Sequence, residues 1–377
     1  MKISKEAIIA TLIEFLEVSL LGKSRSTALP GWLSILLPIA FVLASFAVII
    51  FSYLTMQIVW NRAINPIEVA ASDVAAVELE LDQNGPRPLL AMAPGEPTPT
   101  MIPTSEAREA DERTNILVMG IDRRPGEPFI SRTDSMMLIS IDPQGETASI
   151  LSIPRDLYAM IPGYGRDRIN TAFVYGSAGG NPAGGAALSM STVEYNLGVP
   201  VDHYILVDFS TVIKSIDTLG GIDVVVPFDI NDPTYPDMDY GYDPLFIPAG
   251  LQHMDGQTAL KYARTRHVDN DFGRASRQQQ VLLAARDKAL GLGITGLLKN
   301  APNFYAQIEQ GIRTDLSLDQ IMKLAQAASG IESENIRTEV LDQNYVSPFV
   351  TDLGAQVLVL DPAAAEPLIQ DLFYREP

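Results

Sequence analysis

Four arginines, Arg264, Arg266, Arg274 and Arg277, stand between Lys261 and Gln280 of a chain whose formal net charge is -19. A guanidinium offers a planar fork of N–H donors that matches phosphate or carboxylate oxygens in pairs, so a cluster this dense suits an anion. The excess of acid elsewhere decides which anion. A surface so acidic repels a polyanionic duplex and lacks the basic balance of nucleic-acid-binding domains, which argues against nucleic acid as a partner. A discrete phosphate or diphosphate fits better. The same arginines also satisfy a plainer description, a solvated helix face paired with Asp269, Asp271 and Asp287.

A second constellation comes from strands. The apolar runs Asn115–Ile121, Ser135–Ile141 and Thr147–Ile153 have β-type composition, and Asp142-Pro143-Gln144-Gly145-Glu146 between the last two has the Pro and Gly of a hairpin turn. Near-continuous apolar runs predict strands covered on both faces, here by helices. If the three strands pair antiparallel in sequence, the end of the first, the start of the second and the end of the third share one rim. Asp122, Asp134 and Arg155 then converge there. Two carboxylates without histidine or cysteine are hard oxygen ligands, suited to Mg²⁺ or Mn²⁺ rather than zinc. The alternative is that these aspartates cap turns or helices.

Other chemistries are disfavoured by composition. The absence of cysteine removes disulfides, thiolate nucleophiles and cysteine-ligated zinc, and none of His203, His253 and His267 has a second histidine at metal-ligand spacing. Neither a Gly-x-Ser-x-Gly elbow nor a complete Gly-x4-Gly-Lys-Ser/Thr phosphate loop is present, which disfavours a serine hydrolase or a P-loop enzyme.

The arginines need elements to hold them. Asp255 is placed to cap a short helix over Gly256–Ala263, with Arg264 and Arg266 following as an i, i+2 pair that shares a face if extended. From Phe272 a helical pattern runs through Arg274, Gln278 and Leu282, placing Arg274 and Gln278 one above the other. A phosphate fits between the Arg264–Arg266 pair and the start of this helix, where unpaired amides also favour anions.

Outside these motifs the chain divides into segments. Residues 1–31 carry Lys2, Lys5, Lys23 and Arg25, and residues 32–60 run from Trp32 to Trp60 without a charge. A helix over that span is about 42 Å long, which matches a bilayer with its headgroups, and the two tryptophans fall where an aromatic belt belongs. The lysine and arginine bias predicts a cytoplasmic N-terminus, a single pass through the membrane and an extracytoplasmic remainder. Residues 61–110 read as a flexible, acidic, Pro-rich linker. Residues 111–377 are long enough for one large domain.

The motifs, taken in order, resemble the LytR-CpsA-Psr (LCP) family. They are Gly120-Ile121-Asp122-Arg123-Arg124, Arg132-Thr133-Asp134-Ser135, Ser152-Ile153-Pro154-Arg155-Asp156, Arg168-Ile169-Asn170, Val207-Asp208-Phe209 and Leu219-Gly220-Gly221-Ile222-Asp223-Val224. They continue with Ala259-Leu260-Lys261-Tyr262-Ala263-Arg264-Thr265-Arg266, Asp271-Phe272-Gly273-Arg274 and Arg277-Gln278-Gln279-Gln280. The resemblance covers a core of roughly 113–290, with 291–377 as a less specific C-terminal extension. Arg168 stands where the family often has lysine, and Ser135 where it often has threonine.

The resemblance implies an α/β (α-β-α) fold, a central mixed sheet flanked by helices on both faces and preceded by one transmembrane helix, with an apolar channel for a prenyl chain. It implies an Mg²⁺-dependent phosphotransferase of the cell membrane that moves a glycopolymer from a polyprenyl diphosphate carrier to peptidoglycan or another envelope glycan, leaving a phosphodiester link. The alternatives are a polyprenyl diphosphate hydrolase and a non-catalytic regulatory or lipid-binding envelope protein. Carried over residue by residue, it implies metal contact by Asp122 and Asp134. It implies phosphate contact by Arg123, Arg155, Arg264, Arg266, Arg274 and Gln278, with catalysis shared among Arg155, Arg264, Arg266 and Asp271, the last as the carboxylate that helps deprotonate the acceptor hydroxyl. The apolar stripe of Val281–Leu290 packs in the core or walls the channel. The acidic stretch Asp229–Asp243, with Tyr235, Tyr240 and Tyr242, is a solvated loop or a sugar contact.

Overall fold

A computed structural model describes residues 113–374 of the chain, except residues 124–126, 238–240 and His267, and without the side chains of 294–310. The transmembrane span and linker expected from the sequence lie outside the described residues. Among the described residues no helix is long and apolar enough to cross a membrane.

The chain opens with β1 (Thr114–Ile121), β2 (Thr133–Asp142) and β3 (Thr147–Ser152), then a hairpin of β4 (Tyr158–Ile161) and β5 (Gly165–Arg168). Helices α1 (Thr171–Gly176) and α2 (Pro182–Leu197) lead to β6 (His203–Asp208) and α3 (Phe209–Thr218). Next come β7 (Ile222–Val226), β8 (Ile230–Asp232), β9 (Leu245–Ile247), β10 (Gly250–Met254) and α4 (Gly256–Arg264). The long α5 (Asp271–Gly311) is interrupted at Gly293, and β11 (Ile312–Thr314), α6 (Leu318–Gly330), β12 (Ile336–Val340), β13 (Val346–Val350), β14 (Gln356–Leu360) and α7 (Pro362–Phe373) complete it.

Six strands form one mixed sheet in the order β11-β6-β1-β2-β3-β12. Strands β1, β2 and β3 pair antiparallel in sequence, as the apolar runs predict, while β6 runs parallel to β1 and β12 parallel to β3. The carboxyl ends of β6, β1, β3 and β12 therefore point to the same rim, joined by the amino end of β2. Residues beyond 290 supply both edge strands. In open α/β sheets the rim at the strands' carboxyl ends is where ligands bind.

Side chains alternate across the sheet with a period of two. Leu117, Met119, Ile121, Met136, Leu138 and Leu151 join Phe173 of α1, Val193 and Leu197 of α2, and Ile369, Leu372 and Phe373 of α7. On the opposite face Ile116, Val118, Ile139 and Ile141 meet Leu324 and Ala327 of α6. Helices thus cover both faces, which is why these strands read as unbroken apolar runs. A fully buried Leu or Ile in such a layer contributes about 1.5–3 kcal/mol. A separate cluster packs the ribbons β7–β10 and β8–β9, through Val224, Val226, Ile230, Leu245 and Ile247, against Ile216 of α3, Tyr262 of α4 and Val281 of α5.

Three fasteners hold helices to the rim. Asp208, at the end of β6, caps α3 by accepting from the Thr211 backbone N–H at 2.8 Å and from Ser210 Oγ at 2.9 Å, and it also accepts from Arg123 at 2.6 Å. Burial alone would raise its carboxyl pKa, but the hydrogen bonds from Thr211, Arg123 and Ser210 outweigh that and hold it below the ordinary value. Gln279 of α5 donates to Ser152 Oγ at 2.9 Å and to the Glu339 carbonyl at 2.7 Å, tying the helix to the ends of β3 and β12. Arg277, only 3% exposed, donates Nε to the Tyr262 carbonyl at 2.9 Å, donates to the Thr265 carbonyl, and pairs with Asp269. It fixes the turn between α4 and α5, on which the other clustered arginines depend.

Removing one partner of a buried, hydrogen-bonded ion pair costs about 3–5 kcal/mol. Arg277→Ala is therefore expected to lose stability of that order in urea unfolding. Asp208 works through pH. Because its folded pKa lies below the unfolded value of about 3.9, its contribution is complete above pH ~4 and is lost as pH falls through the folded value. Urea unfolding across an acid series should give a steeper loss for the wild type below pH ~4 than for Asp208→Asn, with the wild type more stable at neutral pH.

Candidate active site

The rim gathers the expected carboxylates by a specific backbone device. Gly120 faces Ser135, yet the next residue, Ile121, faces Thr133, so Asp134 is the extra residue of a β-bulge. Bulges re-aim side chains at sheet edges and beside active sites. Asp122 follows Ile121 directly, so both aspartates stand one residue from the same cross-strand pair. Arg155 follows β3 and donates to Asp134 Oδ1 at 2.5 Å. Asp122 Oδ2 accepts from Arg264 at 2.8 Å. Of the Asp122, Asp134 and Arg155 convergence read from strand order, Asp134 and Arg155 are in contact, Asp122 stands beside the same cross-strand pair, and each aspartate holds an arginine.

A carboxylate pair of this kind offers hard oxygens to a divalent cation, which completes its shell with water and ligand phosphate. Arg264 engages one oxygen of Asp122, and Arg155 engages one oxygen of Asp134. The donor chemistry is that of Mg²⁺ or Mn²⁺. Among the described residues no group of three or more His, Asp or Glu side chains gathers to hold a metal on protein ligands alone.

The remaining cluster lies across the cleft. Asp271, the first residue of α5, sits 3.1 Å from Arg274 and 3.6 Å from Arg266. Arg274 is 6% exposed, and its buried Nε has no hydrogen-bond partner. Its guanidinium pKa is lowered to about 10, first by burial and further by Arg266 and Arg155, against which the Asp271 and Asp134 carboxylates only partly compensate. Arg155 is shifted the other way. Burial works to lower its pKa, but the hydrogen bond to Asp134 and the charges of Asp156, Asp134 and Asp271 raise it. Burial, more than the neighbouring charges, thus sets Arg274 apart from Arg155, and a buried cation with a free N–H is the kind of group an entering anion can engage.

The cleft is lined by Asp134, Ser135, Arg155, Asp271, Arg274 and Gln278, with Ile153, Pro154, Phe272 and Leu358 as apolar wall. Gln278 accepts from Ser135 Oγ at 2.9 Å and donates to the Ala263 carbonyl at 3.4 Å, linking the bulge to the end of α4. Arg264 belongs to the last turn of α4 and lies over the Phe209 ring at 5.2 Å. Arg266, two residues on, is about half exposed and free of the helix. Asp122, Arg123, Arg264 and Arg266 are not among the residues lining this cleft. The two sides of the rim nonetheless share the bulge, since Asp134 is its extra residue and Asp122 follows the Ile121–Thr133 pair that closes it.

Sequence reasoning missed several partners. Arg123 is clamped between Asp208 and the Glu127 carbonyl, and its guanidinium stacks on Phe129 at 3.9 Å, with Arg313 on the same ring at 4.2 Å. The Val207-Asp208-Phe209 motif at a strand-to-helix junction was the available signal. Asp156 bridges Arg155 and Arg168, at 3.4 and 3.1 Å. The sugar-contact reading of the acidic stretch needs correction at Tyr235. That side chain is 7% exposed and packs in the core of the small ribbons, because residues 230–232 form β8 rather than loop. Val281 is also core, whereas Leu290 is exposed.

Comparison with known proteins fits this arrangement. The model of the LytR_cpsA_psr family matches residues 83–366. The polyisoprenyl-teichoic acid–peptidoglycan teichoic acid transferase TagU of Oceanobacillus iheyensis is 34% identical over 229 residues, covering 60% of this chain and 66% of that protein. TagV of Bacillus subtilis, also a polyisoprenyl-teichoic acid–peptidoglycan teichoic acid transferase, is 32% identical over 229 residues, covering 59% of this chain and 55% of that one. The chain thus spans less than two thirds of the length of these relatives. The crystal structure of B. subtilis TagV superposes with a TM-score of 0.55 at 29% identity, covering 71% of this chain and 99% of that one. A structure of TagT bound to LI-WTA superposes with a TM-score of 0.53 at 25% identity, covering 71% and 93%. With a matched span well over half of its 377 residues, carrying both the bulged Asp134 and the arginines of α4 and α5, the chain belongs to the LytR-CpsA-Psr family.

Proposed function

We propose that the protein is a phosphotransferase that moves a glycopolymer from a polyprenyl diphosphate carrier to peptidoglycan or a similar envelope glycan, forming a phosphodiester link. The observation that carries this reading is Arg274, a buried cation of the cleft whose Nε has no hydrogen-bond partner and whose pKa burial lowers to about 10 in spite of its ion pair with Asp271. The names of the similar transferases support the substrate class. The charge-free span Trp32–Trp60 and the cations before it support a membrane anchor with a cytoplasmic N-terminus and an extracytoplasmic domain.

Phosphoryl transfer asks a protein mainly for positioning and charge neutralisation. Arg155, Arg266 and Arg274 hold the diphosphate oxygens, with Arg264, Arg123 and Gln278 on the flanks. Asp271, between Arg266 and Arg274, takes the proton of the acceptor hydroxyl at a carboxylate oxygen. The acceptor oxygen forms the new bond to phosphorus as the bond to the bridging oxygen breaks, and prenyl phosphate leaves. Asp122 and Asp134 would hold Mg²⁺ or Mn²⁺, whose charge would further offset that of the diphosphate.

In a transfer assay with a polyprenyl diphosphate-linked donor and a glycan acceptor, Arg266→Ala and Asp134→Ala are expected to abolish product while keeping the wild-type circular dichroism. Full activity in both would remove this site assignment. Inorganic pyrophosphate should raise the melting temperature of the wild type, since a ligand that binds only the native state stabilises it. Arg274→Met should lose that protection without a lower melting temperature in the absence of ligand, because an apolar side chain of similar volume replaces a buried charge whose partner Asp271 remains accessible to water.

A further inference from the structure

The β4–β5 hairpin carries a feature that the phosphate chemistry does not use. Its tip reads Pro162-Gly163-Tyr164-Gly165, with Gly163 at φ 78° and Gly165 at φ 88° and open space around both. Nothing crowds these positions, so backbone conformation alone accounts for the glycines. The tip is closed by the Tyr164 N–H donating to the Ile161 carbonyl at 3.0 Å. The result is a tyrosine held outward on a tight turn, 56% exposed.

Tyr164 is also braced from behind. Its ring stacks on Tyr175 of α1, with centroids 5.1 Å apart and planes 14° from parallel, and its hydroxyl donates to the Tyr175 carbonyl at 3.3 Å. Tyr175 is itself fixed by donating its hydroxyl to Asp167 at 2.5 Å. That hydrogen bond, with burial, raises the phenol pKa and keeps it protonated, while nearby Arg132 works in the opposite direction. One face of Tyr164 is taken by Tyr175, which leaves the other to solvent. A pre-ordered aromatic face costs little entropy when a ligand settles on it.

The hairpin is wired to the cleft. Arg168, the last residue of β5, pairs with Asp156, which pairs with Arg155, and Arg132 stands two residues before Asp134. Tyr164 lies four residues from Arg168, at most about 13 Å along the strand at roughly 3.3 Å per residue. That is the reach of a short oligosaccharide.

An exposed, rigid aromatic face with its own hydroxyl at the edge matches a pyranose, whose axial C–H groups stack on an aromatic ring while its hydroxyls hydrogen-bond at the edge. We infer that the outer face of Tyr164, braced by Tyr175 and Asp167 behind it, is a hexopyranose subsite that steers a glycan toward the phosphate cleft. This rests on the transferase reading. The ring comes either from the acceptor glycan or from the carrier-linked polymer, and the two sources are separable.

The test uses the full chain in detergent and tetra-N-acetylchitotetraose, an uncharged β-1,4 glycan, with saturation-transfer NMR. The wild type should saturate one C–H face of a sugar ring. Tyr164→Ala should weaken binding by about fivefold or more, the scale of one aromatic contact, and Tyr164→Phe should restore it. Both variants should melt with the wild type, since Tyr164 is exposed. In the transfer assay, a raised KM for acceptor alone assigns the ring to the acceptor, and a raised KM for donor alone assigns it to the polymer. Unchanged saturation transfer in Tyr164→Ala overturns the subsite. Glycan binding that depends on Tyr164 in a wild type that performs no transfer would keep the subsite and overturn the transferase reading.

Discussion

One buried guanidinium sets the geometry of the cleft. Arg277 has almost no access to water, so every N–H it carries must find an acceptor inside the protein, and it finds them at Tyr262, Thr265 and Asp269. Those three residues lie at the end of α4 and in the turn before α5. Arg264, Arg266, Asp271 and Arg274 are all carried by that same short segment. Their spacing therefore follows from one interior cation, and the division of labour between that arginine and its outward neighbours sets the cluster apart from a uniformly solvated helix face.

Charge is arranged in the same spirit on the sheet side. The bulge at Asp134 costs one regular ladder position but turns a carboxylate to the rim, where it holds Arg155. Asp156 then shares Arg155 with Arg168. Each carboxylate orients a cation and leaves it partly available, whereas the paired interior charges, such as Arg277 with Asp269, are closed. A phosphate entering this cleft would meet arginines already aimed, with little side-chain entropy left to lose.

Much of this was legible because it rests on local signals. The strands β1 to β3 announce themselves as apolar runs around a Pro- and Gly-containing turn, and once they pair in sequence, Asp122, Asp134 and Arg155 must share a rim. Asp255 caps α4 as its position implied, accepting from Thr258 N–H at 2.7 Å. What escaped depends on partners remote in sequence or on backbone carbonyls, which leave no pattern. The fixing role of Arg277 needs the Tyr262 and Thr265 carbonyls, and the Asp208 clamp on Arg123 spans 85 residues. The bulge is invisible to periodicity because it is a single-residue slip. Tyr235 was misread because acid-rich flanks concealed a three-residue strand that buries its neighbour.

The strand order has a consequence for how the chain becomes competent. Val340 lines the cleft at the end of β12, and Gln279 is tied to Glu339, although the first rim residue is Asp122. More than half of the sequence must therefore be in place before the cleft closes around its arginines. Contacts this distant form late, after the local hairpin of β2 and β3. A chain emerging from its N-terminus passes through a long interval with its carboxylates and its early arginine displayed but no finished pocket between them. Because Leu358 of β14 also walls the cleft, a chain that ends before it lacks part of the pocket.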